Sequence, residues 1–309
     1  MFDLQVQADC VPDYTPYWAD VDKKNPGNTT VYKQLHITCD PDAFLLLSTI
    51  RYDPLVVKKS PLTPDELTSE MFFLWDLHMR RLRFTLRFFS HFVSSKPDED
   101  ADFPRWKVDD ALILSQIRDA FVCGGVLTVN PLKVRLLVKL SGHVRIELHE
   151  TPVRPDLYIG LTNSLPVNAM YDVYVDRTPV FASPFTSFKT TNRTVYDEAR
   201  KRALPGKSSL EEVILINTAK QVMEGSIFNL AVELSDGTFV TPGLRSGCHC
   251  GVTRYALLAA GLIRESTIMV DELLLGHEIL MFNAIVGVTR GVIRGFVEPE
   301  KRDWHHKVE

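Results

Sequence analysis

The sequence predicts a mixed α/β (α+β) protein of two domains. Its 309 residues are enough for two hydrophobic cores, and patterns typical of strands and of helices occur in both halves. Between the halves, residues 150–165 are rich in proline and turn-forming residues, as is typical of a linker. We therefore expect a small N-terminal α/β domain over residues 1–158 and a larger C-terminal domain over residues 159–309.

Local patterns predict the elements of the first half. The apolar run at Ala43–Pro54, which ends in a proline turn, predicts a strand. Thr63–Glu66 (TPDE) has the form of a capping box with proline at the first helical position, and predicts that a long amphipathic helix begins there. Val108–Gly125 predicts a second helix that ends at paired glycines. Residues 132–149 predict a hairpin that turns at Ser141–Gly142.

The second half alternates predicted strands with predicted helices. The strand segments are Asp172–Asp176, Glu212–Asn217, a hairpin over Phe228–Thr241 and a strand-rich stretch over Glu278–Gly295. The helical segments are Thr191–Ala203 and Gly251–Gly261. This alternation predicts a chain of the mixed class, as many enzymes are.

The composition excludes several other classes of protein. Hydrophobic residues make up 45% of the chain and charged residues 24%, which argues against disorder. A net charge of −4 with scattered Lys and Arg offers no surface for nucleic acid. No apolar run is long enough to cross a membrane, and the first ten residues resemble no targeting peptide. Five mostly distant cysteines predict no disulfide framework, so we expect a cytoplasmic location.

One stretch carries three potential metal ligands in a row, Cys248, His249 and Cys250. Zinc sites usually need about four ligands with Cys pairs separated by two to four residues, and no second Cys pair is present. A Cys-x-Cys spacing also strains an intramolecular disulfide. We therefore predict neither a metal site nor a redox pair here, and the roles of these three residues stay open.

The residues that follow suggest an anion site instead. Gly251, Val252 and Thr253 stand where the predicted helix begins. Amide N–H groups at a helix N-terminus, together with a threonine hydroxyl, can cradle a phosphate. Taken alone, Gly251 is explained as well by a simple turn.

The surrounding segment, Lys220–Arg254, resembles the signature of the class IV aminotransferase family, the pyridoxal-phosphate enzymes of fold type IV. In that signature a glutamate heads E-G-S-x-x-N, a strand hairpin ends in T-P-P-L, and a loop leads into G-[IV]-T-R. This chain has Glu224 in EGSIFN, Thr241 in TPGL and Gly251 in GVTR, in the same order and spacing. It departs from the family at Ala231, where an aromatic residue is usual, and near His249, where an apolar residue is usual.

The resemblance implies a fold of two domains, the larger a mixed-sheet pseudo-barrel, a homodimer, and pyridoxal 5'-phosphate as cofactor. FKTTNRTVYDEAR resembles the segment that bears the Schiff-base lysine, which implies Lys189 as the catalytic residue. HMRRL resembles the helix whose arginine grips the cofactor phosphate, which implies Arg81. Glu224 would face the pyridine nitrogen. Further cofactor contacts are implied for Gly251, Val252, Thr253, Asn283 and Ala284.

Chemistry supports these roles. A nucleophilic lysine needs a lowered pKa, and a guanidinium is a planar, permanently charged fork that matches a phosphate. Taken singly, Lys189, Glu224 and Arg81 are each explained as well by an exposed surface charge. Their order along the chain favours the functional interpretation.

Within the family, the chain is most similar to fungal aminodeoxychorismate lyase-type proteins, on LLSTIRYDP, FKTTNRTVYDEAR and VTRGVIRG. This implies a lyase that converts 4-amino-4-deoxychorismate to 4-aminobenzoate and pyruvate, a step of folate biosynthesis. Because this substrate is a dicarboxylate, we expect cations on the open side of the site, with Arg51 and Arg290 as candidates by position and charge. A structural role for each is an equal alternative. His249, at the rim, is a third candidate for a substrate contact.

Two other functions stay open. The first is an aminotransferase that acts on branched-chain or D-amino acids with a 2-oxo acid acceptor, using the same cofactor residues. The second is a catalytically silent relative that only retains the fold, against which Lys189 and Glu224 both argue.

Overall fold

A computed structural model describes residues 42–55, 63–93, 107–162 and 165–299. The N-terminal segment that bears on targeting lies outside these residues. Within them lie eleven strands: β1 (Leu46–Tyr52), β2 (Leu132–Val138), β3 (Val144–Glu150), β4 (Tyr171–Val180), β5 (Glu211–Asn217), β6 (Val222–Gly225), β7 (Asn229–Glu233), β8 (Phe239–Pro242), β9 (Arg264–Ser266), β10 (Glu278–Asn283) and β11 (Gly287–Val297). The α-helices of the same residues are α1 (Trp75–Val93), α2 (Asp110–Gly124), α3 (Pro184–Ser187), α4 (Thr194–Ala203) and α5 (Val252–Ala259).

The strands form two sheets. The first is a small antiparallel sheet in the order β1-β2-β3, and the second has eight strands in the order β6-β5-β4-β11-β10-β7-β8-β9. In the large sheet β4 runs parallel to both β5 and β11, and β8 runs parallel to β9, whereas the other pairs are antiparallel. The predicted mixed α/β fold is confirmed. The domain boundary at residues 158 and 159 stays a prediction.

Helix α1 packs on the small sheet because its apolar residues recur at helical spacing. One face buries Trp75, Met79, Leu82, Leu86 and Phe89 in the core of the small sheet. These positions follow a spacing of three or four residues, so one stripe of the helix faces inward. The opposite face carries the basic residues, and Arg81 lies at the border between the two.

The predicted start of this helix is wrong. Thr63 makes no side-chain cap, and the chain forms two short 3-10 turns at Pro64–Glu66 and Ser69–Met71 before α1 begins at Trp75. Tertiary pairing overrides the local signal here, because Phe72 bridges Tyr52 and the neighbouring backbone groups bond the end of β1.

Other first-half predictions are confirmed. Asp109 caps α2 by accepting a hydrogen bond from the Leu112 amide at 3.0 Å, and Gly125 ends it with a φ of 57°. The predicted hairpin is the β2–β3 pair.

The large sheet is buried where the sequence is most apolar. Every residue of β5 is buried, because α4 covers one face and the inward side of the curled sheet covers the other. The hairpin predicted over Phe228–Thr241 is the β7–β8 pair, which turns at Asp236–Gly237. The sheet curls into a half-barrel. None of the described helices is long and apolar enough to span a membrane.

Candidate active site

A cavity of about 470 Å³ lies between the two sheets and collects residues from distant parts of the chain. The small sheet contributes β1 and β2, and the large sheet contributes the segment before α4, the β6–β7 turn and the start of α5. All the residues predicted to bind the cofactor line this cavity: Arg81, Lys189, Glu224, Gly251, Val252, Thr253, Asn283 and Ala284. His249 lines it too.

Lys189 is held by the small sheet, although it follows α3 of the large half. Its carbonyl accepts a hydrogen bond from the Leu47 amide at 2.9 Å, and the next residue, Thr190, bridges Leu46 of β1. The pKa of Lys189 is lowered to about 7, mainly by burial and additionally by the nearby Arg81 and Arg193, while Glu224 opposes this shift. A lysine with this pKa is partly neutral, and so nucleophilic, at neutral pH.

Glu224 is buried at the end of β6, and two donors orient it. Tyr196 Oη lies 2.7 Å from Glu224 Oε1, and Asn229 Nδ2 donates to Oε2 at 3.1 Å. The pKa of Glu224 is raised to about 8, because the effect of burial exceeds the opposing effect of the hydrogen bond from Tyr196. A carboxyl oriented in this way can face a basic ring nitrogen and share a proton with it.

The start of α5 forms a cup with an unsatisfied donor. The side chain of Thr253 is buried, and its Oγ1 makes no hydrogen bond to any residue that the structure describes. A Cβ at Gly251 would come within 1.9 Å of Asn229 Oδ1, so only glycine allows this close approach. Arg81 reaches the same cup from α1 and donates to the Cys250 carbonyl at 3.3 Å. A phosphate fits these donors: helix amides, a hydroxyl and a guanidinium.

Helices α1 and α5, which both contribute to the cup, pack against each other. Leu77 of α1 packs against Val252, Tyr255 and Ala256 of α5 in a small apolar cluster. This contact joins the two halves of the chain beside the site, so the relative position of Arg81 and Thr253 depends on tertiary packing.

The side chain of Asn283 serves the backbone. Its Oδ1 accepts hydrogen bonds from the amides of Ile285 and Val286, and its Nδ2 donates to the Ile227 carbonyl at 3.1 Å. Asn283 therefore shapes the turn before β11, and with it the cavity wall at Ala284.

The structure does not bring Arg51 or Arg290 into the cavity. Arg51 is buried, pairs with Asp53 at 2.8 Å and donates to two backbone carbonyls. It lies on the same face of β1 as the cavity residues Leu47 and Thr49, but beyond the end of the cavity. Arg290 donates to the Gly160 carbonyl and pairs with Glu278, beside a separate surface cavity. Their contacts match the structural alternative.

The two cysteines beside His249 are inert. Cys248 and Cys250 are buried free thiols, and burial raises their pKa values to about 12 and about 11. Cys248 Sγ donates to the Pro242 carbonyl at 3.5 Å. Among the described residues, no group of three or more His, Cys, Asp or Glu side chains could hold a metal ion.

Several cavity residues escaped the sequence analysis, namely Lys133, Arg135, Arg193, Tyr196 and Asn229. Asn229 ends the EGSIFN motif, and Arg193 and Tyr196 stand in the quoted lysine segment, so a signal was present for these three. Lys133 and Arg135 alternate with buried apolar residues on β2, which predicts one shared face but not what that face covers.

A family model described as amino-transferase class IV matches residues 66–292. The chain belongs to the class IV aminotransferase family. This family uses pyridoxal phosphate. A hypothetical aminotransferase from Mycobacterium tuberculosis, solved with α-ketoglutarate and PMP bound, matches this chain in fold with a TM-score of 0.52 and 17% identity, covering 82% of this chain and 83% of that one.

Curated relatives of the chain are fungal. Aminodeoxychorismate lyase of Saccharomyces cerevisiae is 31% identical over 262 residues, which cover 74% of this chain and 69% of that protein. A putative aminodeoxychorismate lyase of Schizosaccharomyces pombe is 34% identical over 138 residues, 43% of this chain and 58% of that protein. The predicted resemblance to the class IV family and to fungal lyase-type proteins is confirmed.

Solved structures show the same fold at low identity. The 4-amino-4-deoxychorismate lyase of Pseudomonas aeruginosa matches with a TM-score of 0.52 and 18% identity, covering 82% of this chain and 85% of that one. The branched-chain amino acid aminotransferase of Escherichia coli matches with a TM-score of 0.53 and 18% identity, covering 82% and 76%. Both reactions occur on this fold, so the fold by itself does not select between them.

Proposed function

We propose that the protein is a pyridoxal-phosphate-dependent lyase that converts 4-amino-4-deoxychorismate to 4-aminobenzoate and pyruvate. The similarity to fungal aminodeoxychorismate lyases supports the substrate, and the cavity residues support the chemistry. When bound, the cofactor supplies an electron sink that acidifies a C–H bond next to the substrate amine. A homodimer, implied by the family, a place in folate biosynthesis, implied by the likeness to the lyase-type proteins, and a cytoplasmic location, expected from the cysteine content, belong to this proposal.

The residues of this chain divide the work of binding. Arg81, the Thr253 hydroxyl and the amides at the start of α5 would hold the phosphate. Glu224 would face the pyridine nitrogen and keep its proton in place, oriented by Tyr196 and Asn229.

Lys189 would move the protons. With a pKa near 7, its Nζ is a base able to accept a proton from C4 of the substrate at neutral pH. The same Nζ would then return a proton to the departing enolpyruvyl group. The hydrogen bond from the Leu47 amide fixes the backbone of Lys189 against β1, so the side chain starts from one position for both transfers.

One observation carries the choice of substrate: an unpartnered cation lies on the cavity wall. Lys133 on β2 is half-buried and lines the cavity, and its side chain makes no hydrogen bond or ion pair within the described part of the chain. The neighbouring Arg135 is bound to Glu147 at 2.6 Å. A half-buried ammonium without a counter-ion suits a substrate that brings its own carboxylate, and aminodeoxychorismate brings two.

An apolar part of the same wall favours a second candidate function. Leu47, Phe185, Ile227, Ile285 and Val286 also line the cavity. Such a surface suits the side chain of a branched-chain amino acid, so an aminotransferase is the alternative.

Pyruvate release tests the proposal. Purified protein loaded with pyridoxal phosphate should release pyruvate from aminodeoxychorismate without any added 2-oxo acid. A requirement for 2-oxoglutarate would identify an aminotransferase instead. A protein that stays colourless with added cofactor and turns over neither substrate would be a silent relative.

The role of Lys133 needs a matched pair of variants. Lys133→Met should raise the KM for aminodeoxychorismate roughly tenfold or more, since a charged hydrogen bond is worth about 1.5–3 kcal/mol. Lys139→Met changes an exposed lysine near the same hairpin and should leave KM unchanged. If Lys133→Met and Lys139→Met have the same KM for aminodeoxychorismate, Lys133 does not support a dicarboxylate substrate.

A further inference from the structure

His249 lines the cavity beside Arg81, and both of its ring nitrogens make contacts. Nδ1 lies 3.2 Å from the Ser187 carbonyl, and Nε2 lies 3.1 Å from Arg81 Nη1. A carbonyl can only accept a hydrogen bond, so Nδ1 must carry the proton. A guanidinium can only donate, so Nε2 must present its lone pair. The two contacts independently require the same neutral tautomer.

The surroundings keep this ring neutral. Burial lowers the pKa of His249 well below its ordinary value, and the nearby Arg81 and Lys189 lower it further, while the hydrogen bond to Ser187 opposes them. A neutral ring remains an acceptor for Arg81 across the physiological pH range.

Arg81 is oriented by contacts with α1, β1 and the loop before α5. Its guanidinium lies 3.1 Å from His249 Nε2, 3.3 Å from the Cys250 carbonyl oxygen, 3.4 Å from Ser48 Oγ and 3.5 Å from His78 Nδ1. The contact to His249 is the shortest of these. Ser187 anchors His249 from the segment that leads to Lys189, so one ring links the phosphate cup to the lysine segment.

We propose that His249 is a positioning residue, which holds the Arg81 guanidinium toward the phosphate of the cofactor, and not a substrate contact. This inference rests on the cofactor part of the proposed function. A leucine at this position fills similar space but offers no acceptor, so Arg81 loses one of the bonds that fix its orientation. Because the His249 ring contacts the proposed phosphate ligand Arg81 directly, the effect should pass mainly through the phosphate.

Cofactor binding to apoprotein tests this without measuring turnover. The dissociation constants of pyridoxal phosphate and of pyridoxal, which lacks the phosphate, are measured by absorbance titration for wild type, His249→Leu and His249→Gln. We expect His249→Leu to raise the dissociation constant of pyridoxal phosphate tenfold or more and to change that of pyridoxal less than twofold. His249→Gln should recover binding to within about threefold of wild type, since glutamine Oε1 can take the place of Nε2.

Other outcomes overturn the inference. If His249→Leu weakens the binding of pyridoxal phosphate and of pyridoxal by the same factor, His249 has a general structural role. If both affinities are unchanged but the KM for substrate rises, His249 contacts the substrate. If His249→Leu does not fold, His249→Asn replaces it, because asparagine is too short to reach Arg81 and should bind less tightly than His249→Gln. Wild-type protein that binds no pyridoxal phosphate would overturn both proposals. Protein that binds it but releases no pyruvate would overturn only the lyase.

Discussion

Tyr196 and Glu224 form a buried pair, with Tyr196 Oη 2.7 Å from Glu224 Oε1. The hydroxyl also lies 3.1 Å from the Thr186 carbonyl. Tyr196 has one proton and two acceptors, so it donates to Glu224 while that carboxylate is ionised and can turn to Thr186 when the carboxyl is protonated. The pair therefore couples the protonation of Glu224 to the orientation of one hydroxyl.

Removing this hydroxyl should shift the pH dependence of activity. The hydrogen bond from Tyr196 stabilises ionised Glu224 and lowers its pKa, against the larger effect of burial. In Tyr196→Phe the pKa therefore rises, and the acidic limb of kcat/KM should move upward by about one pH unit. The check is a pH profile of pyruvate release, with Tyr174→Phe, a half-buried tyrosine of β4, as control. Coincident profiles for Tyr196→Phe and wild type would contradict this coupling.

Replacing Lys189 should abolish the reaction and the covalent capture of cofactor. Lys189→Ala removes the amine that moves protons, so we expect turnover to fall by at least about 10³-fold. The protein should lose its yellow colour, and borohydride should no longer fix cofactor to the chain. Lys201→Ala, at an exposed position of α4, is the control. Full turnover by Lys189→Ala would show that another group is the base.

The lowered pKa of Lys189 predicts how capture of pyridoxal phosphate by apoprotein depends on pH. The neutral amine is the nucleophile, so the rate should rise with pH up to about 7 and level off near 8. With a lysine of ordinary pKa, the rate would continue to rise toward pH 10. Stopped-flow absorbance measures this rate. Because Glu224 raises the pKa of Lys189, Glu224→Gln should move the plateau to lower pH. A rate that levels off only above pH 9 would refute the assignment.

Gly251→Ala should damage the cup. The new Cβ would come within 1.9 Å of Asn229 Oδ1 and displace a side chain that donates to Glu224 and to the His249 carbonyl. We expect a loss of about 1–3 kcal/mol in unfolding free energy and weaker cofactor binding. Gly243→Ala in the same loop is the control, since its Cβ would meet only Glu265 Oε2 at 4.0 Å. Thermal melts and cofactor titrations of both variants test this prediction. Equal melting temperatures and equal cofactor affinities of the two variants would contradict the close approach of Gly251 to Asn229.

Elements with complete local signals were predicted well. Helix α2 has both an Asp109 cap and a Gly125 stop, and the buried strand β5 is a continuous apolar run. The start of α1 was misplaced although Thr63–Glu66 has a capping pattern. The residues after it pair with β1, and a partner so distant in sequence leaves no local signal.

The sequence by itself determined which residues we propose for binding the cofactor, because Lys189, Glu224 and Gly251–Thr253 lie in motifs whose order and spacing are local. Only the tertiary structure decided which cations line the cavity. Lys133 lines the cavity because the small sheet packs over the large one. Arg51, on the neighbouring strand, instead pairs with Asp53 and donates hydrogen bonds to backbone carbonyls. Whether a charged side chain pairs within the protein or lines the cavity depends on which groups the packing of the two sheets places opposite it. The charge of a residue and its position in the chain do not contain that information.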